Sequence, residues 1–234
     1  MTFLLGENMI GGYGGADILK KCSISVKKGE ISVIVGPNGA GKSTAMKAIL
    51  GMIKLKQGII KLGGKDITKM SPQDRVSLGM AFVPQNKNVF TGMTVLENLE
   101  MGAYLRKDNI NFTMDQIFSL FPILFKKRKQ LAGELSGGQR QQVAVGRAMM
   151  TNPTTLMLDE PTAGVSPIVM DELFERIVEI KKTGVAILIV EQNARQALSI
   201  ADKGFVLVNG ENKQSGSGLE LLSDPEVRKS FLGG

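Results

Sequence analysis

An apolar run, a glycine-rich loop and a helix-forming segment follow one another near the amino terminus. The run Ile31 to Val35 is short and rich in β-branched residues, and the segment Lys42 to Leu50 is predicted to be a helix. The loop between them reads GPNGAGKS over 36–43, which matches G-x-x-x-x-G-K-[ST] in the strand-to-helix context that this pattern requires. The sequence therefore predicts a buried strand that leads into a phosphate-binding loop.

This loop suits a nucleoside triphosphate. Its glycines allow consecutive backbone N–H groups to converge on phosphate oxygens, and the helix that follows adds the positive end of its dipole. Lys42 would neutralise phosphate charge, Ser43 would offer a hydroxyl to Mg²⁺, and Thr44 would bond a phosphate oxygen. We expect ATP and Mg²⁺ as ligands, bound by Gly36, Pro37, Asn38, Gly39, Ala40, Gly41, Lys42, Ser43 and Thr44.

A second apolar run, Leu156 to Leu158, ends in the acids Asp159 and Glu160. A carboxylate at the carboxyl end of a parallel strand faces the nucleotide site, so Asp159 is expected to hold Mg²⁺ through water. Glu160 is predicted to be the catalytic base, because the chain contains no histidine that could polarise the attacking water. Taken alone, the two acids could instead cap a helix, and the glycine loop favours the catalytic interpretation.

The segment LSGGQ over 135–139 precedes a helical stretch, Arg140 to Met150. Ser136, Gly137, Gly138 and Gln139 could form a second anion-binding helix amino terminus. A capped helix after a glycine turn is the simpler alternative. The first interpretation gives the chain two phosphate-binding sites, and the second gives it one.

Short apolar segments alternate with helical ones, which is typical of a parallel sheet covered on both faces. Further predicted strands are Ala81 to Val83, Val185 to Val190 and Phe205 to Val208, and further predicted helices are Ile168 to Lys181 and Asn193 to Ala201. Glycine-containing turns at Lys27 to Glu30 and Lys61 to Lys65 indicate antiparallel strands near the amino terminus. Asn212 to Gly218 is expected to be a flexible connection.

Thr94 and Glu97 have the spacing of a capping box and open a largely helical region. We predict one α/β domain over 1–234. Residues 1–85 and 154–234 would form a parallel-sheet phosphate-loop core with an N-terminal antiparallel β subdomain, and 86–150 an inserted helical subdomain that contains LSGGQ.

The formal charge of +7 would suit nucleic acid, an anionic membrane or a phosphate-bearing ligand, and charge alone does not choose among them. The apolar stretches are much shorter than the roughly twenty residues of a membrane span. The amino terminus has no secretion signal pattern, so we expect a cytoplasmic chain. The single cysteine, Cys22, is assigned no function.

The glycine loop, LSGGQ and LMLDE, in this order, resemble the nucleotide-binding subunit of ATP-binding cassette (ABC) transporters over nearly the whole chain. The resemblance implies an ATPase that works as a head-to-tail dimer, with ATP between the loop of one subunit and the Ser-Gly-Gly of the other. It places Tyr13 against adenine and Gln85 at the glutamine that senses Mg²⁺. The implied catalytic residues are Glu160, Gln192 and Lys42, and the implied metal site comprises Ser43, Gln85 and Asp159.

Two positions depart from the family pattern. Gln192 stands where the family has a switch histidine, and it can hydrogen-bond a γ-phosphate but cannot carry a proton. Ser166 stands where an aspartate is usual. Glu191-Gln192-Asn193 and the loop before Pro167 resemble the branched-chain amino acid importer subclass and its relatives for other small polar solutes. The stretches Phe90 to Leu99, Phe121-Pro122, Leu221 to Arg228 and Phe231 to Gly233 agree with that subclass.

The resemblance implies an importer ATPase on the cytoplasmic face of the cell membrane. Its partners would be transmembrane permease subunits, a second ATPase subunit that is either a paralogue or a second copy and, indirectly, a solute-binding protein. Urea or other amino acids are alternative solutes. A soluble ABC ATPase acting on nucleic acid or ribosomes is the alternative from another class, but no coiled coil, zinc motif or second cassette supports it, so no nucleic acid partner is expected. A regulatory subunit that binds ATP with little hydrolysis is a third possibility.

Overall fold

The computed structural model describes residues 2–231, so the resemblance at Leu232 and Gly233 lies outside the described residues. The strands are β1 Thr2–Gly11, β2 Leu19–Lys27, β3 Ile31–Val35, β4 Leu55–Leu62, β5 Lys65–Asp66, β6 Met80–Val83, β7 Thr155–Asp159, β8 Ala186–Val190, β9 Lys203–Val208 and β10 Glu211–Gly216. The α-helices are α1 Lys42–Leu50, α2 Pro72–Ser77, α3 Val95–Gly102, α4 Asn111–Leu120, α5 Pro122–Lys126, α6 Gly137–Met149, α7 Pro167–Lys182, α8 Ala194–Ser199, α9 Gly218–Ser223 and α10 Pro225–Phe231, with a 3₁₀ helix at Ala132–Glu134.

A six-stranded sheet in the order β10-β9-β3-β8-β7-β6 forms the core. All its pairings are parallel except that of the edge strand β10 with β9. Every residue of β3, β7 and β8 is buried, which explains why these strands are continuous apolar runs in the sequence. The predicted α/β class with a parallel-sheet core is confirmed.

The carboxyl ends of β3, β8 and β7 meet at one edge of this sheet. Ile34 pairs with Val190, and Val190 pairs with Asp159, so the loops that follow the three strands lie next to one another. Chemistry-bearing residues that are far apart in the sequence are thereby brought to one place.

A four-stranded antiparallel sheet, β2-β1-β4-β5, forms a second layer. The predicted turn at Lys61 to Lys65 joins β4 and β5, and Gly63 and Gly64 adopt φ values of 56° and 85° there. The prediction for Lys27 to Glu30 was wrong: this turn joins β2 and β3, which belong to different sheets. The apolar faces of the two sheets share a core with α1, in which Met46, Ile49 and Ile60 are fully buried.

The region from α3 to α6 is helical. Thr94 caps α3, accepting from the Glu97 amide at 3.2 Å, while the Glu97 carboxylate accepts from the Thr94 amide at 2.7 Å. Helix α6 packs closely on α3 and α4 because Gly146 has no side chain there: a Cβ atom would lie 3.0 Å from Leu99 and from Ile117. Among residues 2–231, no helix combines the length and apolar character that crossing a bilayer requires.

The prediction of a flexible connection at Asn212 to Gly218 was also wrong. Most of it forms β10, whose residues alternate between exposed and half-buried. The Asn212 side chain accepts from the Ser23 amide at 2.6 Å and donates to the Ser23 carbonyl at 2.9 Å. These bonds tie the edge of the parallel sheet to β2.

Candidate functional site

The loop between β3 and α1 requires glycine at two positions. Gly36 has φ 149°, and a Cβ atom there would lie 2.1 Å from the Leu207 carbonyl oxygen. Gly41 is the residue before α1 and adopts a left-handed φ of 95°. A side chain at Gly36 would clash with the Leu207 carbonyl, and one at Gly41 would strain the left-handed backbone, so the placement of the loop's amides depends on both glycines.

Lys42 lies along this loop with little exposure. Its ammonium donates to the carbonyl oxygens of Gly36 at 2.8 Å and Pro37 at 3.1 Å. Burial lowers the pKa of Lys42, and the charges of Glu160, Asp159 and Glu191 oppose that shift. The ammonium is thus held against the glycine loop by its carbonyls, and the negative charge of a bound phosphate would favour its protonated form.

Ser43 and Asp159 form a pair of oxygen ligands at the start of α1 and the end of β7. The Ser43 hydroxyl donates to an Asp159 carboxylate oxygen at 2.9 Å. Burial raises the pKa of Asp159, and the Ser43 hydrogen bond opposes the shift, followed by Lys47 and Lys42. No cluster of three or more acidic or thiol ligands occurs among residues 2–231. One hydroxyl and one carboxylate beside a phosphate loop fit Mg²⁺, which is held by few protein oxygens together with substrate phosphates.

Glu160 begins the turn after β7 and faces Gln85. The Gln85 side-chain amide donates to the Glu160 carboxylate at 2.7 Å. Glu160 has a positive φ of 47°, which is uncommon for a residue with a side chain, and its amide donates to the Val190 carbonyl at 2.8 Å. The backbone is thus held in a strained form where this carboxylate projects.

The loop, α1 and Glu160 enclose a cleft of about 220 Å³, lined by Ile18, Asn38, Gly39, Ala40, Gly41, Lys42, Ser43, Thr44 and Glu160. Tyr13 lies on the connection between β1 and β2, at whose far end Ile18 lines the cleft, and its side chain is 49% exposed. Tyr13 is not part of the cleft lining, so the stacking of its ring on adenine stays a prediction.

A larger groove of about 930 Å³ lies at the opposite edge of the sheet, beside Thr154 and Val185 at the amino ends of β7 and β8. It has charged side chains of both signs, including Arg176 and Glu179, and contains none of the predicted site residues. The small cleft with its glycine loop is therefore the candidate site.

The LSGGQ segment lies apart from this cleft. Ser136 caps α6 and accepts from the Gln139 amide at 3.3 Å, while the Gln139 side chain accepts from the Ser136 amide at 3.3 Å. A Cβ atom on Gly138 would lie 2.0 Å from Val169, so α6 begins in close contact with the start of α7. Within one chain, the glycine loop and the LSGGQ helix terminus do not share a pocket.

The two positions that depart from the family pattern lie after β8 and before α7. Gln192 follows β8, is exposed, and stands beside the turn that contains Glu160. Ser166 is the residue before α7, and its side chain makes no capping hydrogen bond.

Sequence reasoning missed Glu191, the first residue after β8, which is 2% exposed. Burial raises its pKa, and hydrogen bonds from Thr162 oppose the shift. It could have been found by the same signal that identified Asp159, since both are acids at the carboxyl end of a buried apolar run.

Comparisons with known proteins agree with this geometry. Residues 19–163 match the family model described as ABC transporter. The chain is 41% identical to the high-affinity branched-chain amino acid transport ATP-binding protein BraG of Pseudomonas aeruginosa, covering 95% of this chain and 96% of that protein. It is 31% identical to the lipopolysaccharide export system ATP-binding protein LptB of Haemophilus influenzae, covering 100% and 98%. The crystal structure of the ADP conformation of MJ1267, an ATP-binding cassette of an ABC transporter, is 34% identical with a TM-score of 0.87 and covers 100% of both chains.

Proposed function

The chain belongs to the ABC transporter family, as one of its ATP-hydrolysing subunits, and we propose that it drives import of a small polar solute, with branched-chain amino acids as the solute class. The observation that carries the catalytic part is the meeting of two hydrogen-bonded pairs at one sheet edge. Ser43 bonds Asp159, and Gln85 bonds Glu160. Ser43 and Glu160 line the same cleft as Lys42.

We assign each side chain a step in hydrolysis. Bound Mg–ATP would supply the scissile phosphoryl group and the divalent charge that neutralises it. Lys42 and the loop amides hold the phosphates, while Ser43 and Asp159 offer the oxygens that suit the cation. Glu160 takes the proton of the attacking water, since its carboxylate lines the cleft and no histidine is available.

In this scheme the side-chain amide of the exposed Gln192 donates a hydrogen bond to the γ-phosphate. An amide can orient a phosphate but cannot exchange a proton with it, so all proton transfer falls to Glu160. Both the base, Glu160, and the metal-binding pair, Ser43 and Asp159, are present. Their presence argues against a regulatory subunit that binds ATP with little hydrolysis.

The separation of the glycine loop from the LSGGQ terminus supports a head-to-tail dimer as the working form. Ser136 caps a 13-residue helix whose amino end can bind an anion, but within residues 2–231 the glycine-loop cleft is lined by none of the LSGGQ residues. The ATP bound to the glycine loop of a second subunit would bring phosphates to this helix terminus. ATP bound to both cradles would favour the closed dimer, and hydrolysis would release it.

A path from the site to the surface supports contact with transmembrane permease subunits. Gln85, which bonds Glu160, begins a segment in which the buried Asn88 donates to Gln141 of α6 at 2.6 Å. Arg147 of α6 stacks over the half-exposed Phe90 ring at 4.7 Å.

Farther along the same region, Tyr104 and Leu105 are about three-quarters exposed, at 76% and 77%. This exposed apolar pair, on the region that begins at Gln85, is our proposed permease contact.

The solute class rests on similarity to BraG, whose name specifies branched-chain amino acid transport. The chain is also similar to LptB, a protein named for export, so the direction of transport and the transported solute are the points to test. Affinity capture of the tagged chain should recover a membrane subunit, and the complex reconstituted in vesicles should accumulate labelled leucine in the presence of ATP. Urea and alanine serve as competing solutes.

Glu160→Gln should abolish accumulation, and Glu172→Gln, which changes an exposed acid on α7, should not. Accumulation of urea instead of leucine would contradict the proposed solute class and support the importer role. Export of a lipid, or capture of nucleic acid and no membrane subunit, would overturn the proposal.

A further inference from the structure

Glu191 has a buried carboxylate whose polar contacts all lead to the two turns of the catalytic edge. One oxygen accepts from the Thr162 amide at 3.0 Å and from the Thr162 hydroxyl at 2.8 Å. The other oxygen accepts from the Gln192 amide at 3.1 Å. The Glu191 amide itself donates to Ile34 of β3 at 3.1 Å, which anchors the residue to the core sheet.

Burial of this carboxylate is costly. Among residues 2–231, Glu191 belongs to no salt bridge, and Thr162 is also buried. A buried carboxylate without a salt bridge carries a large desolvation cost, which here is offset by its hydrogen bonds and by the charge of Lys42. A neutral side chain would avoid that cost, so the charge is best explained by the groups that it holds in place.

Thr162 lies two residues after Glu160, in a turn whose backbone is strained. Glu160 adopts φ 47°, and the turn is closed by the Ala163 amide, which donates to the Glu160 carbonyl at 3.1 Å. Strained backbone persists where surrounding contacts over-determine it. The two bonds from Thr162 to Glu191 fix the far side of this turn to the end of β8.

We infer that Glu191 is a positioning residue for hydrolysis, whose carboxylate fixes the turn that contains Glu160 relative to Gln192. The inference rests on the proposed roles of those two residues. Glu191 lies outside the cleft lining and acts through its neighbours.

Two near-isosteric variants remove different hydrogen bonds between Glu191 and the two turns. Glu191→Gln keeps one acceptor for Thr162 but places an NH₂ donor against the Gln192 amide, which is also a donor. Thr162→Val removes the hydroxyl bond and keeps the amide bond. Since misplacement of a catalytic group by a fraction of an ångström to an ångström is expensive, we expect kcat to fall about tenfold in Glu191→Gln and about threefold in Thr162→Val. Nucleotide affinity should stay within about twofold, because the glycine loop is unchanged.

The test is a double-mutant cycle with steady-state and single-turnover ATP hydrolysis, nucleotide titration and thermal unfolding. Glu191→Gln should lower the rate with little change in KM, and it should lower it by less than about twofold when Glu160 is already glutamine, since its effect passes through that residue. The exposed Glu172→Gln is the matched control.

Separate outcomes refute separate claims. If Glu191→Gln and Thr162→Val both keep the wild-type rate, or if the loss from Glu191→Gln is undiminished in the Glu160→Gln background, the positioning role is wrong. If Glu160→Gln alone keeps normal turnover, the proposed catalytic base is wrong instead. Should Glu191→Gln fail to fold, Thr162→Val supplies the same cycle.

Discussion

Arg75 should be among the most destabilising positions to change, although it is far from the nucleotide cleft. Its guanidinium is 1% exposed and donates to four carbonyl oxygens, those of Met70 at 3.2 Å, Ala48 at 3.1 Å, Ile49 at 2.6 Å and Thr68 at 2.8 Å. Two of these carbonyls belong to the last turn of α1, where amide donors of the helix run out, although that of Ala48 also accepts from the Gly51 amide at 2.9 Å. Arg75 thus joins the end of the phosphate-loop helix to the segment between β5 and α2.

Arg75→Met keeps an aliphatic stem and removes all four bonds. At a net loss of about 1 kcal/mol for each hydrogen bond, the free energy of unfolding should fall by about 4 kcal/mol. Urea denaturation followed by far-ultraviolet circular dichroism measures the change, with Arg195→Met as the exposed control, for which we expect about 0.5 kcal/mol or less. A loss below about 1.5 kcal/mol in Arg75→Met would refute the reasoning, because at least two of the four carbonyls would then have found other donors.

Two further predictions concern Lys42 and Cys22. Lys42→Ala should weaken ATP binding by at least about tenfold in a fluorescent-nucleotide titration, because the ammonium acts on ground-state phosphates, and undiminished affinity would remove Lys42 from its role. Burial raises the pKa of Cys22 to about 12, so the thiol should stay protonated and resist a thiol reagent at pH 8 until the protein is unfolded. Because the folded pKa lies above the unfolded one, this residue's contribution to stability should be complete below about pH 8.5 and decline towards pH 12. Cys22→Ala should make the free energy of unfolding less dependent on pH between 8 and 10, and an unchanged slope would contradict the assignment.

Local signals predicted the core and the phosphate loop well. Strands β3, β7 and β8 are buried on both faces, which leaves a continuous apolar run that is legible in the sequence. The glycine loop is a local structure, so its pattern and its position between a strand and a helix were sufficient.

The errors concern relations that no local pattern contains. The turn at Lys27 to Glu30 has hairpin composition, but the strand after it enters the other sheet, and this depends on long-range packing. Residues 212–218 are polar because β10 is an edge strand with few buried side chains, and so resembled a loop. The proposed role of Glu191 required knowledge that Thr162, which follows the neighbouring strand β7, donates to its carboxylate.

The most direct test is the steady-state Mg-ATPase activity of the purified chain and its Glu160→Gln variant, with nucleotide affinity measured in parallel and duplex DNA added or omitted. We predict that Glu160→Gln lowers turnover at least about tenfold at unchanged ATP affinity, and that DNA has no effect on either protein. Equal turnover in the two proteins would contradict the assignment of Glu160, and stimulation by DNA would contradict a transport role.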